Sequence, residues 1–588
     1  MPTLDDHGNS SSGGITTLGP TRLGFAAERD VDAFVDTLER YERGQLAPDQ
    51  WKAFRLVNGV YSQRQEADAM MIRVKIPQGI LTVSQLEALA HVADRWSTGR
   101  GHLTTRQNFQ FHFIRLPETG DAVAYLAGAG LTTREACGNA VRNVTACPYA
   151  GASALEPFDT TIYADAITRH LLRGRWSANL PRKFKIALGG CCGSDCVGAA
   201  FNDVGLLARI QDGVPGFRVT LGGGLSTLRR TGILAHAFAP ASEVLEICEA
   251  VVRVFHRTGD RQRRHKARLK FVIDKVGPEA FLADYQQERA LIRAEGGRPI
   301  HVAQGSSPRS PRAPRPRQVR AGLDTFLATN VRSQKGEHTA VTVRVPLGDL
   351  TASQLRGLAA AADEFSEERE VRTTLDQDVL LRFVHRGHLT ALHSALVDAG
   401  LAKPGAGTVA DVTSCPGAFS CRIAVTASRG MADAVSRALD EKPALAALAP
   451  SLSIKVSGCP NGCGQHYVAG IGLQGSVRKV GGRAVPQYHL YLGGGFGHGE
   501  AAFGRLAAKL PARKVPAAIE RLILLYDAEK RAGETPEAFL ARQDLDRVDA
   551  LLKDLATLSA EDATPDDFVD LGEAAPFAVQ TSEGECAV

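Results

Sequence analysis

The stretch DVTSCPGAFSC, residues 411–421, and the stretch SGCPNGCGQHYVAGIG, residues 457–472, place four cysteines at Cys415, Cys421, Cys459 and Cys463. The spacing is C-x5-C and then C-x3-C. Four thiolates in two tight pairs are what a cubane iron–sulfur cluster needs, one sulfur for each iron. Pro416 and Pro460 each follow a cysteine and fix a local bend. A structural zinc site more often shows C-x2-C knuckles or includes histidine. Disulfides suit small secreted domains, and eleven cysteines is an odd number in a chain of 588 residues.

Working outward, the same signature occurs earlier in a weaker form. NVTACP at 143–148 matches DVTSCP at 411–416, which sets Cys147 against Cys415. GCCGSDCVGAAFNDVGL at 190–206 matches GCPNGCGQHYVAGIGL at 458–473, which sets Cys192 against Cys459 and Cys196 against Cys463. The repeat extends upstream. Gly79, Thr82 and Gln85 match Gly348, Thr351 and Gln354, all at an offset of 269 residues. Ser153 stands where a fourth cysteine of the first half would be. Two readings of the three retained thiols are open: relics buried as small apolar side chains, or, with Cys191, ligands of a second cluster.

Composition bounds the class. Hydrophobic residues make up 44%, ordinary for a globular chain, and a net charge of +5 over this length predicts no nucleic-acid partner. No apolar run approaches the roughly eighteen residues of a membrane span. The start, MPTLDDHGNSSSGG, lacks a charged-then-apolar signal pattern, so a cytoplasmic protein with reduced thiols is expected.

Along the chain, residues 30–57 read as one or two helices. Residues 69–82 read as strand, 84–96 as a helix with apolar positions at helical spacing, and 102–114 as a half-buried strand. The run QGSSPRSPRAPRPRQVR, residues 304–320, reads as an extended solvated linker. In RKFKIAL, Lys183 and Lys185 alternate with apolar residues, so a strand turns both to one face. Two ammonium groups held together are favoured where an anion sits between them. The GGG turns at 222–224 and 493–495 lack a phosphate-loop or dinucleotide signature; they read as points where the backbone approaches the other half.

C-x5-C, then GCPNGCG, over a duplicated chain resembles the sulfite/nitrite reductase haemoprotein family. The resemblance implies an α/β (α+β) fold with a two-fold internal repeat, each half a small ferredoxin-like α/β unit followed by a larger sirohaem-type α/β domain. The expected divisions are 1–20, disordered; 21–130, a first ferredoxin-like half-domain with N-terminal helices; 131–300, a first sirohaem-type domain; 301–325, the Pro/Arg linker; 326–405, a second ferredoxin-like half-domain; 406–560, a second domain with the cluster motif; and 561–588, an acidic tail.

It also implies cofactors and roles. Cys415, Cys421, Cys459 and Cys463 would hold a [4Fe–4S] cluster, with Cys463 bridging to sirohaem. Arg73, Arg142, Lys183 and Lys185 match the cations that bind the substrate and deliver protons on the open face. A small oxyanion needs such charge-assisted donors. Thr104, Arg106, Gln110 and His112, in TTRQNFQFHF, match the sirohaem segment. Asn461 and Gly462 would touch the near face, and Lys266, Arg268 and Lys270, in RQRRHKARLK, would meet further carboxylates. Tyr61 and Cys137 resemble a pair that is covalently joined in some members. Lysine at 185, where nitrite-reducing members typically carry asparagine, points to sulfite. The expected activity is six-electron reduction of sulfite to sulfide, with electrons from ferredoxin or a flavoprotein. Nitrite reduction to ammonia and a non-catalytic iron–sulfur electron carrier are the alternatives.

Overall fold

A computed structural model describes residues 16–18, 24–65, 68–190, 195–302, 317–497, 499–582 and 584–585. Two helices, Glu28–Glu42 and Pro48–Val57, lead into the first small unit. There the strand Ala69–Val74 is followed by a short strand Ile80–Thr82 and the helix Val83–Trp96. The repeated Thr/Gln pair has a local cause. Thr82 Oγ1 accepts from the Gln85 amide while Gln85 Oε1 accepts from the Thr82 amide, and Thr351 and Gln354 do the same for the helix Ala352–Phe365. Each pair is a capping box that satisfies two otherwise orphaned helix donors. Residues 102–114 differ from expectation: they form two strands, Arg100–Leu103 and Phe109–Arg115, broken by a turn in which Gln107 has φ of 58°.

The short strands cross over. Ile80–Thr82 pairs antiparallel with Glu370–Thr373 of the second half, and Asp349–Thr351 pairs antiparallel with Arg100–Leu103 of the first. Each five-stranded sheet of the small units is therefore completed by a strand from its counterpart. Gln107 Nε2 donates to Thr373 O at 2.8 Å and to Ala146 O at 3.0 Å; Gln377 Nε2 donates to Leu103 O at 2.8 Å, and its Oε1 accepts from Ser414 N at 2.9 Å. Below the sheets lies one core, not two: Leu86, Leu89 and Phe111 pack in the same buried cluster as Leu355, Leu358 and Leu381. Each such side chain contributes about 1.5–3 kcal/mol by leaving water.

The two larger units repeat one topology. In the first, Thr145–Ala146, Ile186–Gly189 and Val204–Gln211 run parallel, then Val214–Leu221 and Ile233–Pro240 continue antiparallel. In the second, the order is Thr413–Ser414, Ile454–Ser457, Ile471–Val480, Arg483–Leu492 and Arg505–Pro511. Cys415 follows the first of these strands directly, and Cys459 and Cys463 follow the second. Ligand sites in open α/β sheets form beyond the carboxyl ends of parallel strands.

Three expectations need adjusting. Thr16–Leu18, read as disordered, pairs in parallel with Ile300–Val302. Most of the Pro/Arg run lies outside the described residues, but Arg317 and Arg320 bond to the protein's own Glu364 and Asp398. The GGG turns approach backbone of their own half: a Cβ on Gly223 would lie 2.4 Å from Ala200 O, and one on Gly494 2.7 Å from Ala469 O.

The crossover leaves no room at its corners. Gly79, with φ of 76°, would bring a Cβ to 2.5 Å from Thr373 O, whereas Gly99, with φ of 72°, meets nothing within 4 Å. Gly79→Ala should therefore lower stability by about 3 kcal/mol or more, and Gly99→Ala by only about 1–2 kcal/mol for left-handed backbone. Chemical denaturation of the two variants side by side measures the difference.

Candidate active site

Between the halves lies a cavity of about 630 Å³. The first half lines it with nine cations: Arg73, Arg106, Arg142, Arg182, Lys183, Lys185, Arg264, Arg268 and Lys270. The second half lines the opposite side with Cys415, Cys421, Pro460, Asn461, Gly462 and Cys463. Among the described residues no Asp or Glu lines it. Buried charges are ordinarily paired, so a wall of cations without facing carboxylates is suited to anions brought from outside.

The cations are held from behind. Gln110, with its amide turned so that Oε1 faces the guanidinium, accepts from Arg73 at 2.9 Å. Arg142 donates to the carbonyls of Gly138 and Ala136. Arg106 donates to Asn202 Oδ1 at 2.9 Å and to Asn143 O at 2.7 Å, while its Nε is buried with no partner among the described residues. Fully buried Asp203 accepts from Arg268 at 2.9 Å and from the Lys185 amide at 2.9 Å. Phe184 points into the core while Lys183 and Lys185 on either side face the cavity, as the alternation anticipates.

Burial and crowding act on these bases. Desolvation, then the charges of Arg106, Arg268 and Lys183, hold the Lys185 ammonium well below the usual lysine range. Desolvation, then Arg142, lowers Arg106 to about 9. Desolvation, then Arg268, lowers Lys270 to about 7, with its Nζ donating to Leu225 O at 2.9 Å. An anion in the cavity opposes each shift by favouring the charged base.

At the other end the four thiols share one neighbourhood. Burial, then the charges of Cys463, Cys415 and Cys421, raises the Cys459 thiol. Cys415 Sγ lies 3.3 Å from Ser428 Oγ and accepts from the Gly458 amide at 3.4 Å. Cys463 is exposed on the cavity wall. Its carbonyl accepts from Thr105 Oγ1 at 2.8 Å, and Gln465 Nε2 donates to Thr105 O at 3.3 Å, so the TTRQN turn of the first half grips the cysteine loop of the second. Among the described residues no three His, Cys, Asp or Glu side chains converge closely enough to hold a single metal ion. Four thiols gathered at one end of the cavity suit a cubane cluster, which takes one thiolate at each iron. A carboxylate-edged macrocycle suits the cations beside it. The donors present therefore fit both groups anticipated from the sequence.

Most of the anticipated side chains meet here: Arg73, Thr104, Arg106, Gln110, Arg142, Lys183, Lys185, Arg268, Lys270, Asn461 and Gly462 all line the cavity. Two do not. Lys266 ends an exposed turn, Arg264–Lys266, and faces solvent, while Arg264 and His265 reach the wall instead. His112 lies beyond the wall, buried beside His102 and Phe419, because the cavity ends one pleat earlier, at Gln110.

Sequence reasoning missed Arg182, which adjoins the lysine pair, and His102, which opens the TTRQN segment. His102 Nδ1 lies 3.0 Å from Asp349 Oδ1, and Arg429 also donates to Asp349. Tyr61 and Cys137 pack in one buried cluster with Leu56 and Met71. Cys147 and Cys196 pack with Leu375 and Val197, and Cys191 and Cys192 lie outside the described residues.

The chain is similar to known proteins over most of its length. The family described as nitrite and sulphite reductase 4Fe-4S domain matches residues 137–291 and 405–556, and the nitrite/sulfite reductase ferredoxin-like half domain matches 61–129 and 331–399. A ferredoxin–nitrite reductase of Synechococcus elongatus is 32% identical over 75% of this chain and 83% of its own length. Sulfite reductase [ferredoxin] 1 of Mycolicibacterium paratuberculosis is 27% identical over 82% of this chain and 83% of its own. The structure of the Mycobacterium tuberculosis NirA protein superposes with a TM-score of 0.73 at 25% identity, covering 90% of this chain and 98% of that one.

The lowered Lys270 gives a pH signature for the protein freed of its cofactors. Unfolded, this ammonium holds its proton up to its ordinary value of 10.5; folded, only to about 7. Between those values the unfolded chain binds more protons, so this group makes stability climb as pH rises from about 7 to 10.5 and leaves it lowest below 7. Lys270→Met should flatten that climb, as followed by denaturation across the pH range.

Proposed function

Because the chain belongs to the nitrite and sulfite reductase family, whose members bind sirohaem and a [4Fe–4S] cluster, we propose that it reduces sulfite to sulfide with electrons from ferredoxin. The observation that carries this is the cavity wall on which Lys183 and Lys185 stand together with Arg73 and Arg142, with no carboxylate among the described residues that line it. Sulfite brings up to two negative charges and nitrite only one, so the extra lysine is matched better by sulfite.

Cys415, Cys421, Cys459 and Cys463 would hold the cluster. Thr104, Arg106, Gln110, Arg268, Lys270, Asn461 and Gly462 would hold the macrocycle. When bound, these groups supply the iron at which the oxyanion is reduced and the relay that brings electrons to it singly. The remaining work falls to the chain's own side chains. Arg73 is steadied by Gln110, and Arg142 is fixed on two carbonyls, so both present charge in a set direction. Lys183 and Lys185 have flexible stems and three donors each, so they follow the oxyanion as its oxygens leave as water. The depressed affinity of Lys185 for its proton makes it a ready acid, and the neighbouring anion draws the proton back onto it from solvent.

Nitrite is the second reading, favoured by relatives that are named ferredoxin–nitrite reductase. Ferredoxin is the first choice of donor because those names and the mycobacterial sulfite reductases carry it; a flavoprotein subunit is the second.

Steady-state rates with both anions test the choice. Sulfite should be turned over with the higher kcat/KM, and Lys185→Asn should lower kcat/KM for sulfite about tenfold or more than for nitrite, the worth of one charge-assisted contact. Equal losses, or a strong nitrite preference in the unaltered protein, would reverse the assignment. Cys463→Ser should abolish turnover and change the coupled optical and EPR spectra of cluster and sirohaem; full activity in that variant would remove Cys463 from the proposed path.

A further inference from the structure

The acidic segment that follows the last helix has no part in the site as described so far, yet it does not trail into solvent. It runs back over the second half. Asp570 Oδ2 accepts from Ala427 N at 2.7 Å, and Leu571 O lies so close to Gly430 that a Cβ there could not be accommodated. Further on it crosses the loop that carries Cys421. Ser582 N donates to Arg422 O at 3.0 Å, and Gly584 packs on Ile423, where a Cβ would lie 2.3 Å from Ile423 Cγ2. Gly584, Ile423 and Cys421 all belong to the cavity wall.

The segment then ends its described course in the other half. The Glu585 side chain is only 6% exposed. Its carboxylate accepts from Arg55 Nη1 at 2.7 Å, from Arg55 Nη2, from Ser62 N at 2.8 Å and from Ser62 Oγ at 2.7 Å. Arg55 also donates to Val60 O at 3.1 Å. A buried carboxylate satisfied by four donors, two of them from a paired guanidinium, is a strong and directional attachment. Of its partners, Arg55 belongs to the helix Pro48–Val57, and Ser62 to Val60–Ser62, the outer strand of the sheet whose next strand carries Arg73. Three further bonds bind the same corner: Arg422 Nε donates to Gln63 O at 2.9 Å, and Arg64 donates to Gln580 O and to Ala418 O.

We propose that residues 580–582 together with Gly584 and Glu585 are a strap across the thiol end of the cavity, and that Glu585 is the positioning residue that fastens it. The strap holds the Cys415–Cys421 loop of the second half against the outer strand of the first. It thereby closes the side of the cavity where the cysteines stand. The shielding role rests on the cluster assignment made above; the fastening role does not.

The test uses the protein as purified with its cofactors. Amide hydrogen exchange is followed in residues 60–65 and 418–424, and iron release is followed with a ferrous chelator. Glu585→Gln should speed exchange in both segments by about a hundredfold, the effect of breaking a buried ion pair, leave the strands of the two larger sheets protected, and speed iron release. Arg55→Gln should do the same, and the double variant should be no worse than either single one, because the two groups act as a unit. If a variant failed to fold, Ser62→Ala, which removes only the hydroxyl donor, would be read in the same way. Unchanged exchange in the two segments would overturn the strap, and so would faster exchange with an unaltered rate of iron release. Protein that carries no iron would strike the proposed function instead, and the exchange result would still decide the fastening.

Discussion

The reciprocal exchange of Ile80–Thr82 and Asp349–Thr351 is the constraint from which the rest of this molecule follows. A sheet edge left open exposes unpaired backbone groups. Here each small unit closes the other's edge, and the apolar faces below merge into one core. Neither half can rotate or withdraw without breaking both ladders. The glutamines at 107 and 377 extend the lock outward, each joining the opposite half to the start of its own larger domain. The cavity between the larger domains is therefore set by backbone pairing some distance away. Its walls come from different halves, and contacts at the cavity itself, such as Thr105 with the Cys463 carbonyl, add to that lock.

Duplication explains how one cavity acquires two kinds of wall. In the second half the wall is the chain leaving the parallel strands, where the cysteines stand. In the first half it includes the chain entering them, where Arg142, Lys183 and Lys185 stand. The positions equivalent to the TTRQN turn have changed accordingly. Thr105 grips the cysteine loop, but its counterpart Leu375 packs among Cys147, Val197 and Leu207. Arg106 faces the cavity, but its counterpart Asp376 is joined to Lys455 at 2.7 Å. Arg382, the counterpart of His112, donates to the carbonyls of Pro148 and Ala150 beside Cys147. Among the described residues, apolar side chains and the Arg382 guanidinium thus pack around Cys147.

The parts legible in the sequence were those with a short-range signature. The cysteine spacing, the repeat and the lysine alternation are local patterns, and the family resemblance covers them. The capping boxes were visible as repeated residues before their role was. What escaped depends on long-range pairing. Ile80–Thr82 reads as the tail of its own strand and gives no sign of its partner in the other half. The turn at Gln107 breaks an alternation that otherwise runs on, because a left-handed glutamine carries no compositional mark. Arg264 and Lys266 differ in no property that a sequence exposes, and only the exposed short turn decides which one reaches the cavity. Glu585 looks like one acid among many, and its burial arises from Arg55 and Ser62, far away in the chain.

A wall of nine cations, with no acid among the described residues that line it, raises the question of how the fold tolerates it. The answer lies one layer back. Asp203 is fully buried, and it bonds to Arg268 and to the amide of Lys185 without reaching the cavity surface. Backbone carbonyls take the donors of Arg142 and Lys270 in the same manner. Compensating from behind stabilises each cation enough to keep it in place. It leaves the wall, among the described residues, without a carboxylate that would compete with an incoming anion. Had the same carboxylate stood on the wall, the cations would have been neutralised by the protein itself. Attraction for a dianion would then have fallen with every pair formed, since unlike charges a few ångströms apart interact strongly in a poorly solvated space. Placing Asp203 behind the wall is what lets one set of bases be both stable and receptive.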